Sequence, residues 1–284
     1  MIIGIDIGLK SICGVLLEKD KIVNVVNKSI YERKRDCSRM IMTKTLSLIQ
    51  ELFAPQVKGI GLSLLSKVDK KRGVIYDIEN IPFWKKTKIK SIIEDTFNVP
   101  TTVNTDINCY ALGEKYYGIC KDFHDVLCIT IDPVAETSMI VDNKLYYEKS
   151  KSFDSYDCLS APSYNCVRNY KKSYLRTLEC LNSFTENFTE DKMNDPDCKE
   201  WEDLGNHLGR LITIMLCNYE PQIILLGGNL AKAYPNYCHY IDKYIEKYVH
   251  PRILLNLIIV ASMHDNPKPM GAASLVLQLN ENVA

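Results

Sequence analysis

The sequence predicts an α/β protein built from two similar halves. Strand-like and helix-like segments alternate along the chain, and the order βββαβαβα is used roughly twice. A chain of 284 residues is long enough for two ordinary domains with sizeable cores. Each half is therefore expected to form a helix-covered sheet, with a cleft between the two domains.

The first half opens with three β-rich runs that turn residues separate. These runs are MIIGIDIG, SICGVLLEKD and KIVNVVNKSI. A helix follows at residues 38–53, because the apolar side chains of this stretch fall roughly on one face. The remaining predicted elements of this half are strand 57–64, helix 86–97, strand 101–104 and helix 106–117.

The second half repeats the strand pair at residues 126–147 and then enters a polar stretch. We predict this stretch to be irregular, since no apolar period is evident in it. The predicted elements that follow it are helix 202–218, strand 222–226, helix 231–248, strand 254–261 and helix 270–280.

The composition argues against several classes of protein. Basic and acidic residues are equal in number, 35 each, whereas a dedicated nucleic-acid surface needs a concentrated positive field. No apolar run reaches the roughly 20 residues of a membrane span, and the N-terminus has no signal-peptide pattern. The 11 cysteines lack paired C-x-x-C spacing. They are typical of small core residues in a reducing compartment, so we expect a cytoplasmic protein without membrane contact.

Five segments, spread in order over nearly the whole chain, carry a family resemblance. They are GIDIG, ENIPFW, VNTDINCYALGE, LGNHLGRLITIMLCNYEPQIILLGGNL and NPKPMGAASL. Together they resemble the ROK family of bacterial sugar kinases and sugar-responsive repressors. The resemblance implies the actin-like ATPase (ribonuclease H-like) fold, with ATP and sugar meeting between two domains. It also implies that the last helix joins residues 1–117, so that residues 1–117 and 270–284 form one domain and residues 118–269 the other.

The resemblance implies a sugar site around Asp106. Asp106 matches the family's general base, which accepts a proton from the sugar hydroxyl that attacks the terminal phosphoryl group. Asn80, Asn104 and Thr105 match positions that contact the sugar, although the family usually has Glu-Asn in place of Asn104-Thr105. From the residues alone, a helix cap is the favoured role of Asp106, and the resemblance reverses that preference. Asn80 is equally a turn residue before a proline.

The first phosphate loop of the family has the pattern Asp-x-Gly-Gly-Thr-Lys. This chain keeps Asp6 and Gly8 but places Leu9 where the second glycine stands. A bulky side chain there hinders close approach of the backbone to a phosphate. Lys10 and Ser11 remain as donors, and Asp6 matches the residue that supports the Mg²⁺ bound to ATP. An alternative for Asp6 is an ordinary residue at the end of a strand.

The second phosphate loop departs further from the family pattern. Residues 132–138 stand where the family has a glycine run, and they contain no glycine. The carboxylates of Asp132 and Glu136 would repel a polyanion, and Pro133 removes a backbone donor. The same residues suit an ordinary surface turn.

The segments that align with the family's adenosine-binding segments are more similar to the family than the phosphate loops are. Gly227, Gly228 and Asn229 follow a strand, and Gly271 opens the last helix, at positions where a flat ring could pack. Tight turns in any α/β fold are the alternative. Residues 149–200 contain no histidine, and their cysteines are too widely spaced for the family's zinc cluster, so we expect no zinc and no other metal site in the protein itself.

Two functions follow from these observations. The first is a catalytically impaired relative that keeps the fold for sugar sensing or as a scaffold, because both phosphate loops are altered. The alternative is an active hexose kinase that uses ATP, Mg²⁺ and Asp106. Direct DNA binding is not expected, because family repressors carry a helix-turn-helix ahead of this fold and here the fold starts at Met1. A helical stripe of tyrosines at Tyr237, Tyr240, Tyr244 and Tyr248 predicts packing on a neighbouring element or, as we favour, a homodimer.

Overall fold

The protein forms two compact units. A computed structural model describes residues 1–30, 37–65, 67–77, 86–131, 135–146, 164–186, 188–217 and 219–281. One unit comprises Met1–Asp122 and His264–Ala284, and the other comprises Phe123–Met263. Three residues named above, Asn80, Asp132 and Pro133, lie outside the described part of the chain.

The first unit contains a large sheet, a small sheet and their helices. Its strands are β1 (Ile2–Ile7), β2 (Ser11–Glu18), β3 (Lys21–Ser29), β4 (Ile60–Leu64), β5 (Lys67–Asp69), β6 (Val74–Asp77), β7 (Thr87–Lys88) and β8 (Thr101–Thr105). Its helices are α1 (Cys37–Leu52), α2 (Ile89–Phe97), α3 (Asp106–Tyr116) and α9 (Pro267–Glu281).

The second unit contains one sheet and the remaining helices. Its strands are β9 (Val126–Ile131), β10 (Ala135–Val141), β11 (Lys144–Leu145), β12 (Ile223–Gly227) and β13 (Ile258–Ala261). Its helices are α4 (Tyr164–Glu186), α5 (Glu190–Met193), α6 (Glu200–Leu216), α7 (Tyr234–Tyr248) and α8 (Pro251–Leu254), with a 3₁₀ helix at Asn229–Ala233.

The two large sheets share one topology. The first has the order β3-β2-β1-β4-β8 and the second the order β11-β10-β9-β12-β13. In each, the first three strands along the chain pair antiparallel, and the next two join in parallel beside the first strand. The predicted βββαβαβα order is therefore confirmed in both halves.

Several elements of the structure were not predicted from the sequence, and the small sheet and helix α4 are the largest of them. In the small sheet β5-β6-β7, strands β5 and β6 lie between the predicted strand 57–64 and the predicted helix 86–97, and β7 occupies the first residues of that predicted helix. Helix α4 occupies part of the polar stretch that was predicted to be irregular. Its buried side chains Tyr174, Leu178 and Leu181 stand at spacings of four and three residues, which is the apolar period of a helix. The polar residues between them hid this period.

Glycines allow α9 to lie unusually close to its neighbours in the first unit. A Cβ placed on Gly4 of β1 would stand 1.8 Å from the Pro269 carbonyl oxygen, and one on Gly61 of β4 would stand 1.8 Å from the Ala272 carbonyl oxygen. On the α3 side, a Cβ on Gly271 would stand 1.7 Å from the Cys109 carbonyl oxygen. Such distances exclude any side chain, so these glycines fix where α9 sits on the sheet and on α3.

The tyrosines of α7 pack largely inside the second unit. Tyr237 is fully buried and stacks on Trp201 at a ring distance of 5.8 Å. Tyr240 and Tyr244 are partly buried, with their Cβ atoms against Gly205 and Gly209 of α6. Tyr248 alone of the four is mainly exposed, at 55%. Packing on a neighbouring helix thus accounts for most of the stripe.

Within the part of the chain that the structure describes, no helix combines the length and the apolar character that a membrane crossing requires.

Candidate functional site

The candidate site of the first unit lies at the carboxyl ends of three parallel strands. In the sheet register, Asp6 of β1 is opposite Ser63 of β4, and Ser63 is opposite Asn104 of β8. Asp106 follows immediately as the first residue of α3. Ligands of open α/β sheets bind at this edge because the loops and helix N-termini meet there. The edge therefore brings together Asp6, Asn104 and Asp106, which sequence reasoning assigned to the site, and Ser63, which it did not.

Asp6 has one oxygen engaged by the protein. The Ser63 hydroxyl donates a hydrogen bond of 2.5 Å to Asp6 Oδ1. Burial raises the pKa of Asp6, the Lys268 ammonium and the Ser63 hydrogen bond counteract the rise, and the Asp106 carboxylate adds to it. The pKa of Asp6 is thus raised overall, and Lys268 and Ser63 limit the rise.

Asp106 is held by an ion pair. Its Oδ2 atom lies 2.7 Å from the Lys268 Nζ atom, and the Asp106 side chain is only 6% exposed. The N-cap of α3 is Thr105, whose side chain makes no capping hydrogen bond. The carboxylate therefore lies in the first turn of α3, where the helix dipole favours an anion, and its Oδ2 atom contacts Lys268.

Asn104 organises the start of α3 from inside the protein. Its side-chain oxygen accepts hydrogen bonds from the Thr105 backbone N–H at 2.9 Å and from Asn108 Nδ2 at 3.0 Å. Asn104 is almost fully buried, and Thr105 is partly exposed. These contacts hold the chain at the point where β8 passes into Asp106. The predicted sugar contacts of Asn104 and Thr105 stay predictions, as does that of Asn80, which is not among the described residues.

The first phosphate loop is closed by its own hydrogen bonds. The Gly8 N–H donates to the Ser11 carbonyl oxygen at 3.0 Å, and the Lys10 carbonyl oxygen accepts from the Ile30 N–H at 2.9 Å. The side chains of Lys10 and Ser11 are exposed, and that of Leu9 is partly buried. The N–H of Gly8 is thus already hydrogen-bonded within the protein. The side chains of Lys10 and Ser11 remain accessible for their predicted role as donors to a phosphate.

The second phosphate loop lies in the second unit, between the paired strands β9 and β10. The N–H of Ala135, which follows residues 132–134, donates to the side-chain oxygen of Asn182 on α4 at 2.6 Å. The Thr137 hydroxyl lies 2.7 Å from the Tyr174 hydroxyl of the same helix. Side chains of α4 therefore engage one backbone N–H and one hydroxyl of the segment that the family resemblance aligns with the second phosphate loop. Sequence reasoning missed them because it predicted no helix there.

The glycines of the predicted adenosine site have different local roles in the two units. In the second unit, Gly227 ends β12, and Gly228 has φ 90°, a conformation that favours glycine, before the 3₁₀ helix that Asn229 begins. In the first unit, Gly271 lies inside α9, which begins at Pro267, three residues before the predicted start. Its contact with Cys109 accounts for the glycine by packing. Nucleotide contacts of these residues stay predictions.

The residues near Asp6 do not suit Mg²⁺ as they stand. Among the described residues, no group of three or more His, Cys, Asp or Glu side chains could hold a metal ion. One Asp6 oxygen accepts a hydrogen bond from the Ser63 hydroxyl. The Lys268 ammonium pairs with Asp106, and its positive charge also acts on Asp6. Cys158 and the side chain of Cys166 fall outside the description, so the expectation of no zinc stays a prediction.

Lys268 is the main site residue that sequence reasoning missed. It is the second residue of α9, and a cation at a helix N-terminus is opposed by the helix dipole. A lysine in that place needs an anion nearby, and Asp106 is that anion. A lysine in the first turn of a helix was the sequence signal that could have drawn attention to Lys268. That signal does not identify Asp106 as its partner.

The fold and the site together define a class of protein, the α/β proteins of the actin-like ATPase fold. A family model described as the ROK family matches residues 2–147 and 172–279, and the chain belongs to this family. The predicted fold class and the predicted family are thereby confirmed.

Individual relatives include proteins named as kinases and as repressors. The chain is 27% identical over 290 residues to an uncharacterised protein of Clostridium perfringens, covering 98% of each. It is 22% identical over 299 residues to the xylose repressor of Bacillus spizizenii, covering 97% of this chain and 77% of the repressor. Among solved structures, a Streptomyces griseus ROK glucokinase in complex with glucose and AMPPNP matches with a TM-score of 0.72 at 17% identity, covering 97% of this chain and 99% of the glucokinase.

These relatives do not support the expectation that the protein makes no direct contact with DNA. The chain is 22% identical over 272 residues to a protein of Escherichia coli named DNA-binding transcriptional repressor Mlc, covering 83% of this chain and 66% of the repressor. The absence of DNA binding therefore remains a prediction from the balanced charge of this chain.

Proposed function

We propose that the protein is a sugar-binding ROK protein that does not transfer a phosphoryl group, and that it acts by sensing a sugar or as a scaffold. The observation that carries this proposal is the Ala135 N–H donating to Asn182. A phosphate loop holds its ligand through free backbone N–H groups. Here the Ala135 N–H is already hydrogen-bonded to the Asn182 side chain of the same unit.

The first loop supports the same conclusion. Its Gly8 N–H is bound to Ser11, so ATP would have to open a hydrogen bond in this loop as well as one in the second. Each opened bond costs about 1 kcal/mol net, and more if a donor is then left without a partner. Phosphoryl transfer depends almost entirely on positioning, and a misplacement of about 1 Å costs on the order of 10²-fold in rate.

The sugar side of the first unit keeps polar groups that suit a sugar. Asp106 offers carboxylate oxygens, and Thr105 offers a hydroxyl that is partly exposed beside it. Sugars are bound in proteins by such donors and acceptors, and binding does not require phosphate loops. The glucose in the Streptomyces griseus glucokinase and the xylose repressors among the relatives make hexoses and pentoses the ligand classes to test.

An active hexose kinase is the second candidate, and the position of Asp106 favours it. The carboxylate stands at the strand-to-helix junction of the sheet edge, where a general base for a sugar hydroxyl would stand. In that role Asp106 must accept a proton. Its Oδ2 atom is already paired with the Lys268 ammonium at 2.7 Å, so a sugar hydroxyl would have to displace this contact to reach that oxygen.

A paired binding and turnover experiment tests the proposal. The intact protein is titrated with glucose, mannose, fructose, their N-acetylated amines and xylose, and the same sugars are assayed for phosphorylation with ATP and Mg²⁺. We expect at least one sugar to bind and none to be phosphorylated above background. Asp106→Asn, which removes the negative charge at nearly the same volume, should weaken the binding of that sugar. Turnover by the natural protein that Asp106→Asn abolishes would establish the kinase instead.

A further inference from the structure

Two carboxylates meet at the same sheet edge of the first unit. Asp6 stands on β1 and Asp106 at the start of α3, and the strand ends that carry them are joined through β4. They are close enough for the charge of Asp106 to oppose ionisation of Asp6. A nearby positive charge favours the ionised form of Asp6, because burial and repulsion from Asp106 both raise the pKa of this carboxyl group.

The counter-charge is a side chain of the chain itself. The Lys268 Nζ atom lies 2.7 Å from Asp106 Oδ2, and its charge also reaches Asp6. The Lys268 side chain is 27% exposed, so solvent reaches the pair only in part. A lysine so placed does for the carboxylates what a bound cation would do.

The backbone leaves Lys268 little freedom to move away. The close glycine contacts of α9 bracket it: Pro269 lies against Gly4, and Pro267 lies against Gly113, where an added Cβ would stand 2.0 Å from the Pro267 carbonyl oxygen. Just before the helix, Asn266 has φ 57°, and its side-chain oxygen accepts a hydrogen bond from Cys13 Sγ at 3.3 Å. The lysine is thus fixed at the sheet edge from both sides.

We propose that Lys268 is a tethered cation that takes the place of a divalent metal ion between Asp6 and Asp106. The ammonium pairs with Asp106, partly neutralises the charge of both carboxylates and excludes Mg²⁺ from them. Removing its charge should leave Asp6 and Asp106 without the ammonium that pairs with Asp106. Small divalent cations bind to sites of one or two carboxylates, with water as the remaining ligands. This inference concerns the cation alone, and it holds whether or not the protein binds a sugar.

Binding of Mn²⁺ to the full chain tests the proposal without any assay of activity. Calorimetric titration compares the natural protein with Lys268→Met and with Lys268→Gln, a second neutral variant that keeps an N–H donor. We expect each neutral variant to bind Mn²⁺ at least tenfold more tightly than the natural protein. Mn²⁺ should also raise the melting temperature of the neutral variants and leave that of the natural protein nearly unchanged.

Two controls assign the binding to this cluster. Lys268→Arg keeps the positive charge and should exclude Mn²⁺ as the natural protein does. Adding Asp106→Asn to Lys268→Met removes one of the two carboxylates and should abolish the gained binding. If a neutral variant folds only when Mn²⁺ is present, the metal has replaced the lysine and the proposal is supported. Equal Mn²⁺ binding by the natural protein and both neutral variants, or gained binding that survives Asp106→Asn, would overturn it.

Discussion

At the scale of single residues, the described cysteines illustrate how burial decides chemistry. Burial, with a smaller contribution from Asp6, raises the pKa of Cys13 to about 11. Burial raises the pKa of Cys120 to about 12 and that of Cys109 well above its ordinary value. Because the thiolate is the reactive form, these thiols should be inert at neutral pH. Cys180 and Cys217, by contrast, are exposed.

Alkylation therefore should separate the two groups of cysteines. With iodoacetamide at pH 8, we expect Cys180 and Cys217 to be modified at least tenfold faster than Cys13 and Cys120. Peptide mass spectrometry of the native protein measures each rate, and the same reaction on denatured protein gives the control in which the difference disappears. Native labelling of Cys13 as fast as that of Cys180 would contradict the burial described for it.

At the scale of elements, the sequence predicts the two large sheets well, but it misses the small sheet β5-β6-β7 and the contacts between helices. Strands such as β1 and β9 are apolar runs between turn residues, and that pattern is local. Helix α4 escapes notice because its buried side chains include Tyr174 and Thr177 among charged neighbours. The pairing of Lys268 with Asp106 spans 162 residues, and no local pattern encodes such a contact.

The candidate site divides in the same way. Asp6, Asn104 and Asp106 could be assigned from strand ends and from the family resemblance, because each stands at a recognisable position of its motif. Asn182 could not be assigned, since its partner is a backbone N–H that any residue could offer. Single side chains that reach across elements are fixed only by the packed fold.

The packing of α9 gives a stability prediction for one element. Gly271→Ala would place a Cβ 1.7 Å from the Cys109 carbonyl oxygen, so the helix must shift from α3. We expect a loss of about 2–3 kcal/mol in the free energy of unfolding, the usual scale of overpacking. Denaturant unfolding of the intact protein measures it.

Gly8→Ala is the matched control for this prediction. A Cβ on Gly8 would meet its nearest atom, the Ser11 carbonyl oxygen, at 3.3 Å, which a small adjustment relieves. Its effect should stay below about 1 kcal/mol. Equal effects of the two substitutions would show that α9 is not locked by Gly271.

At the scale of the whole molecule, the assembly of the protein is open to test. The tyrosine stripe first suggested a dimer, but Tyr237, Tyr240 and Tyr244 pack against α6 and leave mainly Tyr248 exposed. Exposed apolar side chains also occur on the edge strand β3, at Ile22, Val23 and Val25. An edge strand with such residues can pair with another chain.

We still expect a homodimer, with Tyr248 in its interface. Analytical ultracentrifugation at micromolar concentrations should give twice the mass of one chain, and Tyr248→Lys should weaken association at least tenfold, because a charge would be buried against the partner. Lys243→Ala, a change on the same helix, serves as the control. A monomer at high micromolar concentration would contradict the dimer, and a dimer insensitive to Tyr248→Lys would move the interface elsewhere.

The central claim is that the altered loops no longer hold ATP, and a calorimetric titration of the full chain with ATP and Mg²⁺ tests it most directly. With the Gly8 and Ala135 N–H groups already bonded within the protein, we predict a dissociation constant above about 1 mM, equivalent to less than roughly 4 kcal/mol of binding free energy. The same titration after saturation with sugar controls for binding that only a sugar complex would allow. A micromolar dissociation constant in either titration would contradict the claim and favour the second candidate, an active hexose kinase.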